Sequence, residues 1–242
     1  MSRHPTRVHI AGLILALFLL LRAGLPAQGL QADLTRDGII LGSGLVFASL
    51  SELLLRAGAP VIDLGRADIH LVDPLDRSWM LPYSKQADTV STILEYSSIA
   101  VPLLMSLSSN PSSSLSSTVV YAESLSFAFG AKNVLKYLLP RFRPYVYSGG
   151  APGVDPSEDE QSFPSGHATI AFTAAAFSAY LYFQGLPQTA NYLPFVVANF
   201  GLAGLTASYR VVSGMHFVTD VLAGAVIGTF CGFFLPALIR KT

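Results

Sequence analysis

A single cysteine, Cys231, rules out an internal disulfide and a metal centre built from thiolates, and its place in an apolar run makes it a small buried hydrophobe. Charge is scarce as well: 12% of the 242 residues are Asp, Glu, Lys or Arg, and 15 basic side chains balance 15 acidic ones. That excludes the basic field that collects nucleic acid and the acidic tail that recruits basic partners. Strand-like alternation and internal repeats are missing too. What remains is apolar. With 51% hydrophobic residues and a mean hydropathy of +0.50, the chain is too greasy for a soluble domain of this length and belongs in a membrane, with lipid as its surroundings and no obligate protein partner in evidence.

Arg3 and Arg7 precede an apolar stretch from Val8 to Leu21, and Leu25-Pro26-Ala27 offers a small-residue end. Residues 1–27 therefore read as a signal peptide or an N-terminal anchor, and either implies export. Apolar windows at 38–55, 89–107, 117–139, 165–183, 191–209 and 216–238 each approach the roughly 20 residues that a bilayer needs. The expected fold is all-α, an integral-membrane bundle of about five to six helices. Residues 28–88 would form an N-terminal helix and polar loop, and 89–242 the core.

The connections 106–117 and 184–191 carry no charge and read as plain hairpin turns. Residues 56–88 mix Arg56, Arg66, Arg77 and Lys85 with five aspartates, and 145–163 combine Gly and Pro with Asp155, Glu158, Asp159 and Glu160. Both read as surface segments, the second placed to shape a substrate mouth. Gly224, Gly228 and Gly232 repeat every fourth position, a packing stripe that admits a close neighbour, and Pro102 marks a kink. Glu95, Glu123 and Lys132 lie inside apolar windows and read as ion pairs that hold the bundle together.

Three short strings supply chemistry: Lys136 with Arg143-Pro144, Pro164-Ser165-Gly166-His167, and Arg210 through His216 to Asp220. Two successive antiparallel hairpins would bring all three to one end of the bundle. Pro164 is expected in the first helical turn, leaving the N–H groups of Ser165, Gly166 and His167 at a positive helix end that suits an anion. Lys136, Arg143 and Arg210 can neutralise a phosphate. His216 and Asp220, four apart, are expected to share a helix face, the carboxylate holding one ring nitrogen so that the other attacks phosphorus. His167 can then protonate the leaving alkoxide and activate water. Three cations converging with few ligands argue against a bound divalent metal, and no cofactor is expected.

These strings resemble, in order and spacing, the three signature motifs of the type 2 phosphatidic acid phosphatase (PAP2) superfamily, which also contains bacterial acid phosphatases and vanadium haloperoxidases. The likeness covers about residues 89–238. It implies His216 as nucleophile, Asp220 as its partner, His167 as general acid, and Lys136, Arg143, Ser165, Gly166 and Arg210 as phosphate binders. One departure is visible, because the family usually places Ser directly before the third-motif arginine, whereas here Tyr209 stands there and Ser208 one place earlier. The implied function is a membrane phosphatase acting on a lipid phosphate monoester or diphosphate: a polyprenyl diphosphate, phosphatidylglycerophosphate, phosphatidic acid or a lipid A phosphate. Vanadate-dependent halide oxidation and a transporter using the intramembrane charges are the alternatives.

The sequence conflicts with itself over sidedness. Arg240 and Lys241 follow the last span and should face the cytoplasm, which puts the site outside. Counting four crossings from Arg3 and Arg7 brings it back inside. The Ser- and Gly-rich window 38–55, carrying Glu52, is therefore expected to lie at the interface or re-enter, leaving a periplasmic site.

Overall fold

The computed structural model describes residue 30 and residues 33–58, 67–107, 111–185 and 192–239. The expected signal or anchor at 1–27 lies outside them. The helices are α1 (Leu34–Arg56), α2 (Pro74–Ser78), α3 (Lys85–Leu107), α4 (Pro111–Leu138), α5 (Gly166–Gly185), α6 (Leu193–Val212) and α7 (Val218–Thr229), the last continuing through a π-helical turn, Phe230–Phe234, into Leu235–Ile239. Among the described residues the only β-type pairing is an isolated bridge between Arg141 and Gln161.

Each expected apolar window is a helix, and local chemistry sets its ends. Asp33 caps α1, its Oδ1 accepting from Thr35 N and Arg36 N at 3.1 Å each. The segment expected as a turn at 106–117 is largely helical, because Pro111 opens α4 at a position where a missing N–H costs nothing. Pro102 lies within α3 and is buried there. Four helices, Thr35–Arg56, Lys85–Leu107, Leu193–Val212 and Val218–Ile239, are long and apolar enough to cross a membrane. Their outward faces carry Ile39, Leu45, Val46, Leu50, Leu103, Leu205, Leu222 and Val226 exposed, as a lipid-facing surface requires.

Helix α5 is the central post. Ala168, Ala171, Ala174, Ala175, Ala176, Phe177, Ala179 and Tyr180 are all buried, so small side chains face protein on every side. The glycine stripe of α7 lies against it. A Cβ at Gly224 would stand 2.7 Å from the Ser165 carbonyl and 3.1 Å from Ala168 Cβ, and one at Gly228 or Gly232 would collide with the Thr169 or Thr173 carbonyl. The two backbones thus touch along three turns, which fixes the start of α5 against the start of α7. Cys231 is buried, in a cluster with Ala128 and Ile170.

The expectation that 38–55 lies at the interface is not met. Gly44 packs on Ser126 and Phe127, Phe47 on Gly130, and Glu52 accepts from Asn133 Nδ2 at 2.9 Å. The pairing rises in step along both chains, so α1 runs lengthwise beside α4 and parallel to it. Gly44 on α1 and Gly130 on α4 are the small surfaces that let the two helices approach. Consequently the C-terminal ends of α1, α4 and α6 and the N-terminal ends of α3, α5 and α7 meet at one end of the bundle, with Leu34 and Ile239 at the other.

Candidate active site

At that end a cavity of about 870 Å³ opens, lined among others by Lys136, Arg143, Gly166, His167, Arg210 and His216. Six of the eight residues singled out from the sequence therefore converge. Ser165 and Asp220 do not reach the cavity, and both are fully buried behind it.

Lys136 sits in the last turn of α4 and donates to the Gln161 carbonyl. Beyond Pro140 the chain is extended and pairs with the far end of the 145–163 loop. Arg141 N bonds Glu160 O at 2.8 Å, Ser162 N bonds Arg141 O at 3.0 Å and Arg143 N bonds Asp159 O at 2.8 Å. Arg143 is pinned there by Glu158, through Nε to the carbonyl at 2.9 Å and Nη2 to the carboxylate at 2.8 Å. Tyr145 ties Asp159 at 2.8 Å. Asp155, Ser157, Glu158, Glu160 and Gln161 line the cavity, so this loop does form its mouth.

The second string departs from expectation in one respect. Helix α5 begins at Gly166, which leaves Pro164 before the helix and makes Ser165 its cap, with Oγ accepting from Ala168 N at 3.4 Å. The Ser165 N–H is also spent, donating to the Asp220 carbonyl at 3.0 Å. The N–H groups of Gly166 and His167 stay at the positive end of α5, facing the cavity side. A Cβ on Gly166 would stand 3.3 Å from Lys132 Cδ, so the glycine makes room for a lysine that also lines the cavity. Lys132 Nζ bonds Asn133 Oδ1 at 2.6 Å and lies 3.8 Å from the Phe129 ring centre.

The third string holds the largest correction. Helix α7 starts at Val218, so His216 precedes it, in a loop folded over by Gly214 at φ +70° against the Leu81 and Pro82 carbonyls. His216 Nδ1 is 3.6 Å from Asp220 Oδ2, beyond hydrogen-bond reach, and has no partner although it is buried. Asp220 is taken up elsewhere: by Arg141 Nη1 at 2.6 Å, Ser162 Oγ at 2.6 Å and the Phe217 N–H at 2.8 Å. The i,i+4 spacing suggested a ring partner; the late helix start turns the carboxylate into a clamp on the loop that carries the ring. Burial first, then the charges of Arg143, Arg210 and Lys136, hold the His216 imidazole well below its ordinary pKa of 6.5, so it stands neutral.

Arg210 is 2% exposed, bonds the Asp88 carboxylate and Ser91 Oγ, the latter at 3.2 Å, and leaves its Nε unpartnered. Ser208 bonds Gly204 O at 2.8 Å away from the cavity, so the hydroxyl beside this arginine comes from α3 and not from the neighbouring residue. A buried arginine Nε without a partner, beside pinned Lys136 and Arg143, is what an anion-binding site looks like when its donors are preset.

Sequence reasoning missed the supports. Arg141 bridges Asp220 to Asp76 of α2, at 2.6 and 2.7 Å, and lies 4.2 Å from the Phe217 ring centre. Asp76 also accepts from Thr219 N at 3.0 Å, capping α7. His167 Nε2 faces Thr92 Oγ1 at 3.2 Å and Glu95 Oε2 at 3.3 Å. Glu95 and Lys132, expected as ion-pairing groups of the bundle, also line the cavity, and Glu95 pairs with His167.

The PAP2 superfamily matches the chain over residues 117–242, just over half its length. The chain is 33% identical over 112 residues to a PA-phosphatase related-family protein of Dictyostelium discoideum, covering 43% of this chain and 41% of that protein. It is 33% identical over 114 residues to phosphatidylglycerophosphatase B of Bacillus subtilis, covering 47% and 55%. Against lipid A 1-phosphatase of Porphyromonas gingivalis it is 32% identical over 103 residues, covering 43% and 19%. It thus matches from about a fifth to just over half the length of these relatives. A solved transmembrane PAP2 type phosphatidylglycerolphosphate phosphatase from Bacillus subtilis is 21% identical, with a TM-score of 0.38 over 96% of each chain.

Proposed function

The chain belongs to the PAP2 superfamily, and from that membership we propose that it is an integral-membrane phosphatase that takes the terminal phosphate off a lipid phosphate monoester or diphosphate. The observation that carries this reading is the pairing of a neutral, buried His216 with His167, Lys136, Arg143 and Arg210 around one cavity at the end of an apolar bundle. A phosphorylated headgroup can enter there while its hydrocarbon chain stays in lipid. Phosphatidylglycerophosphate and lipid A phosphate head the substrate candidates, because relatives carry those names.

With Nδ1 turned toward Asp220, His216 presents Nε2 to phosphorus. An N–P bond forms as the P–O bond to the lipid breaks, and His167 gives a proton to the departing alkoxide. His167 then takes a proton from water as that water attacks phosphorus, the N–P bond breaks, and inorganic phosphate leaves with His216 neutral again. Lys136, Arg143, Arg210 and the N–H groups of Gly166 and His167 hold the equatorial oxygens throughout. Ser165 and Asp220 act from behind, by fixing the two helix starts against each other.

The site faces outward in this reading. Ile239 lies at the end of the bundle opposite the cavity, and the basic Arg240 and Lys241 that follow it in sequence favour a cytoplasmic placement of that end. Because α1 crosses and starts on that same face, cleavage after Ala27 would instead leave the new N-terminus outside and turn the site inward. A segment that stays attached and crosses from a cytoplasmic Arg3 and Arg7 has the same effect, so an extracytoplasmic site goes with an N-terminal segment that is neither cleaved nor a crossing span. Phosphate release by the purified protein from a panel of defined lipid phosphates tests the substrate class: turnover of at least one is expected, and inertness toward all of them contradicts the proposal.

A further inference from the structure

Helix α3 lies outside the three motif strings and outside the region matched by the family, yet one of its faces reaches into the site. Asp88, Ser91, Thr92 and Glu95 fall at i, i+3, i+4 and i+7, the spacing of a single helical stripe. Asp88 and Ser91 hold Arg210; Thr92 and Glu95 hold His167. The Glu95 side chain is 14% exposed, lines the cavity and has its Oε2 3.3 Å from His167 Nε2. By comparison the carboxylate expected to orient a histidine, Asp220, stands 3.6 Å from His216 and is saturated by other donors.

We propose that Glu95 is the positioning carboxylate of His167, fixing its ring so that the nitrogen not facing α3 exchanges the proton with the leaving group and then with water. This rests on His167 serving as general acid and base. His167 gives its proton as the imidazolium, and the neutral ring that remains has two tautomers and free rotation about its side-chain bonds; an acceptor at Nε2 keeps the remaining proton there and leaves the other nitrogen free to take one from water. Thr92 serves the same end as a neutral acceptor, and Glu95 adds the charge. The Thr92 hydroxyl points to the Asp88 carbonyl at 3.1 Å, which leaves an oxygen lone pair for His167, and among the described residues Glu95 is the only carboxylate in contact with the ring. Glu95 does not touch the reacting atoms in this account. It acts through His167, and proton balance across the two steps is complete without it.

The test separates positioning from mere support of the fold. Purified Glu95→Gln, Glu95→Asp and His167→Ala proteins are compared with wild type on two substrates: an alkyl phosphate of a short-chain diacylglycerol, whose leaving group needs a proton, and a p-nitrophenyl phosphate ester, whose leaving group departs as the anion. Loss of a positioned acid costs about 10²- to 10⁴-fold where proton transfer is needed. Glu95→Gln should lower kcat on the alkyl substrate by about 10²-fold with KM little changed, and lower phosphorylation of His216 by the aryl ester less than tenfold. Glu95→Asp, which keeps the charge but shortens the reach, should fall between. Equal losses on both substrates for Glu95→Gln, with His167→Ala still showing the leaving-group dependence, would overturn the assignment of Glu95. Absence of that dependence in His167→Ala itself would overturn the general-acid reading beneath it, and the role of Glu95 with it. Should Glu95→Gln fail to fold, the same comparison is made on Glu95→Asp, where a uniform loss counts against the proposal.

Discussion

Replacing Arg141 by Ala removes a residue that no part of the phosphate-binding reading requires, and should nevertheless damage both stability and turnover. Its guanidinium joins two carboxylates that are 1% and 0% exposed, Asp76 at 2.7 Å and Asp220 at 2.6 Å. Removing one partner from a buried pair costs about 3–5 kcal/mol, since a charge is left without compensation. The Arg141 side chain is itself 26% exposed, so water screens part of the interaction and the lower end, about 3 kcal/mol, applies. For a chain of this length that corresponds to a fall in melting temperature of roughly 6–12 °C. Catalysis should suffer through geometry: Asp220 holds the Phe217 N–H and Asp76 caps α7, so both supports of the His216 loop loosen together. Arg141→Lys, which can keep one bond but not the fork, should recover part of both losses. Thermal unfolding in detergent and phosphate release from a lipid phosphate measure the two effects. A melting temperature within about 2 °C of wild type, with unchanged kcat, would refute the claim that this network holds the His216 loop.

Gly224→Ala, which touches no cavity residue, should lower activity, because its Cβ would stand 2.7 Å from the Ser165 carbonyl and push the start of α5 away from α7 at a cost of about 1–3 kcal/mol; wild-type turnover would show that the two helix starts are not held by this contact. The His216 ring should remain neutral at pH 6.5 and gain its proton only below that, because burial and the nearby cations disfavour the charged form. Histidine NMR in detergent, assigned by loss of one signal in His216→Ala, checks this, and titration at or above pH 6.5 contradicts it. Linkage gives the matching sign for stability: the unfolded imidazole binds the proton first, so the contribution of His216 is present above pH 6.5 and is lost as pH falls below it. Single cysteines at Ser157 and Gln188 in a Cys231→Ala background should be labelled by a membrane-impermeant thiol reagent on intact cells at 157 and not at 188; the reverse places the site in the cytoplasm.

The bundle was legible because membrane spans are written as uninterrupted apolar runs, and charge-free turns force neighbours to be antiparallel. Those two facts were enough to bring Lys136, Arg143, His167, Arg210 and His216 together. What the sequence hid is of another kind. Arg141 reaches Asp76 across 65 residues and Asp220 across 79, and Arg210 reaches Asp88 across 122. No local spacing encodes such pairs, and Asp76 looks like any of the aspartates around it. Local spacing also misled at His216 and Asp220, where i,i+4 means a shared face only if the helix has begun, and it begins two residues after the histidine. Helix α1 was misjudged for a related reason. Its serines, glycines and Glu52 weaken an apolar window, yet Gly44 packs on Ser126 and Phe127 of α4, and Glu52 is satisfied by Asn133.

In the proposed mechanism His216 carries the phosphoryl group. Brief reaction with a ³²P-labelled lipid phosphate, quenching in alkali to preserve an N–P bond, and peptide mapping locate the label. The label is expected on the peptide containing His216, enriched in His167→Ala because water attack is slowed, and absent in His216→Ala along with turnover. Label on any other residue, or phosphate release at wild-type rates from His216→Ala, would contradict it.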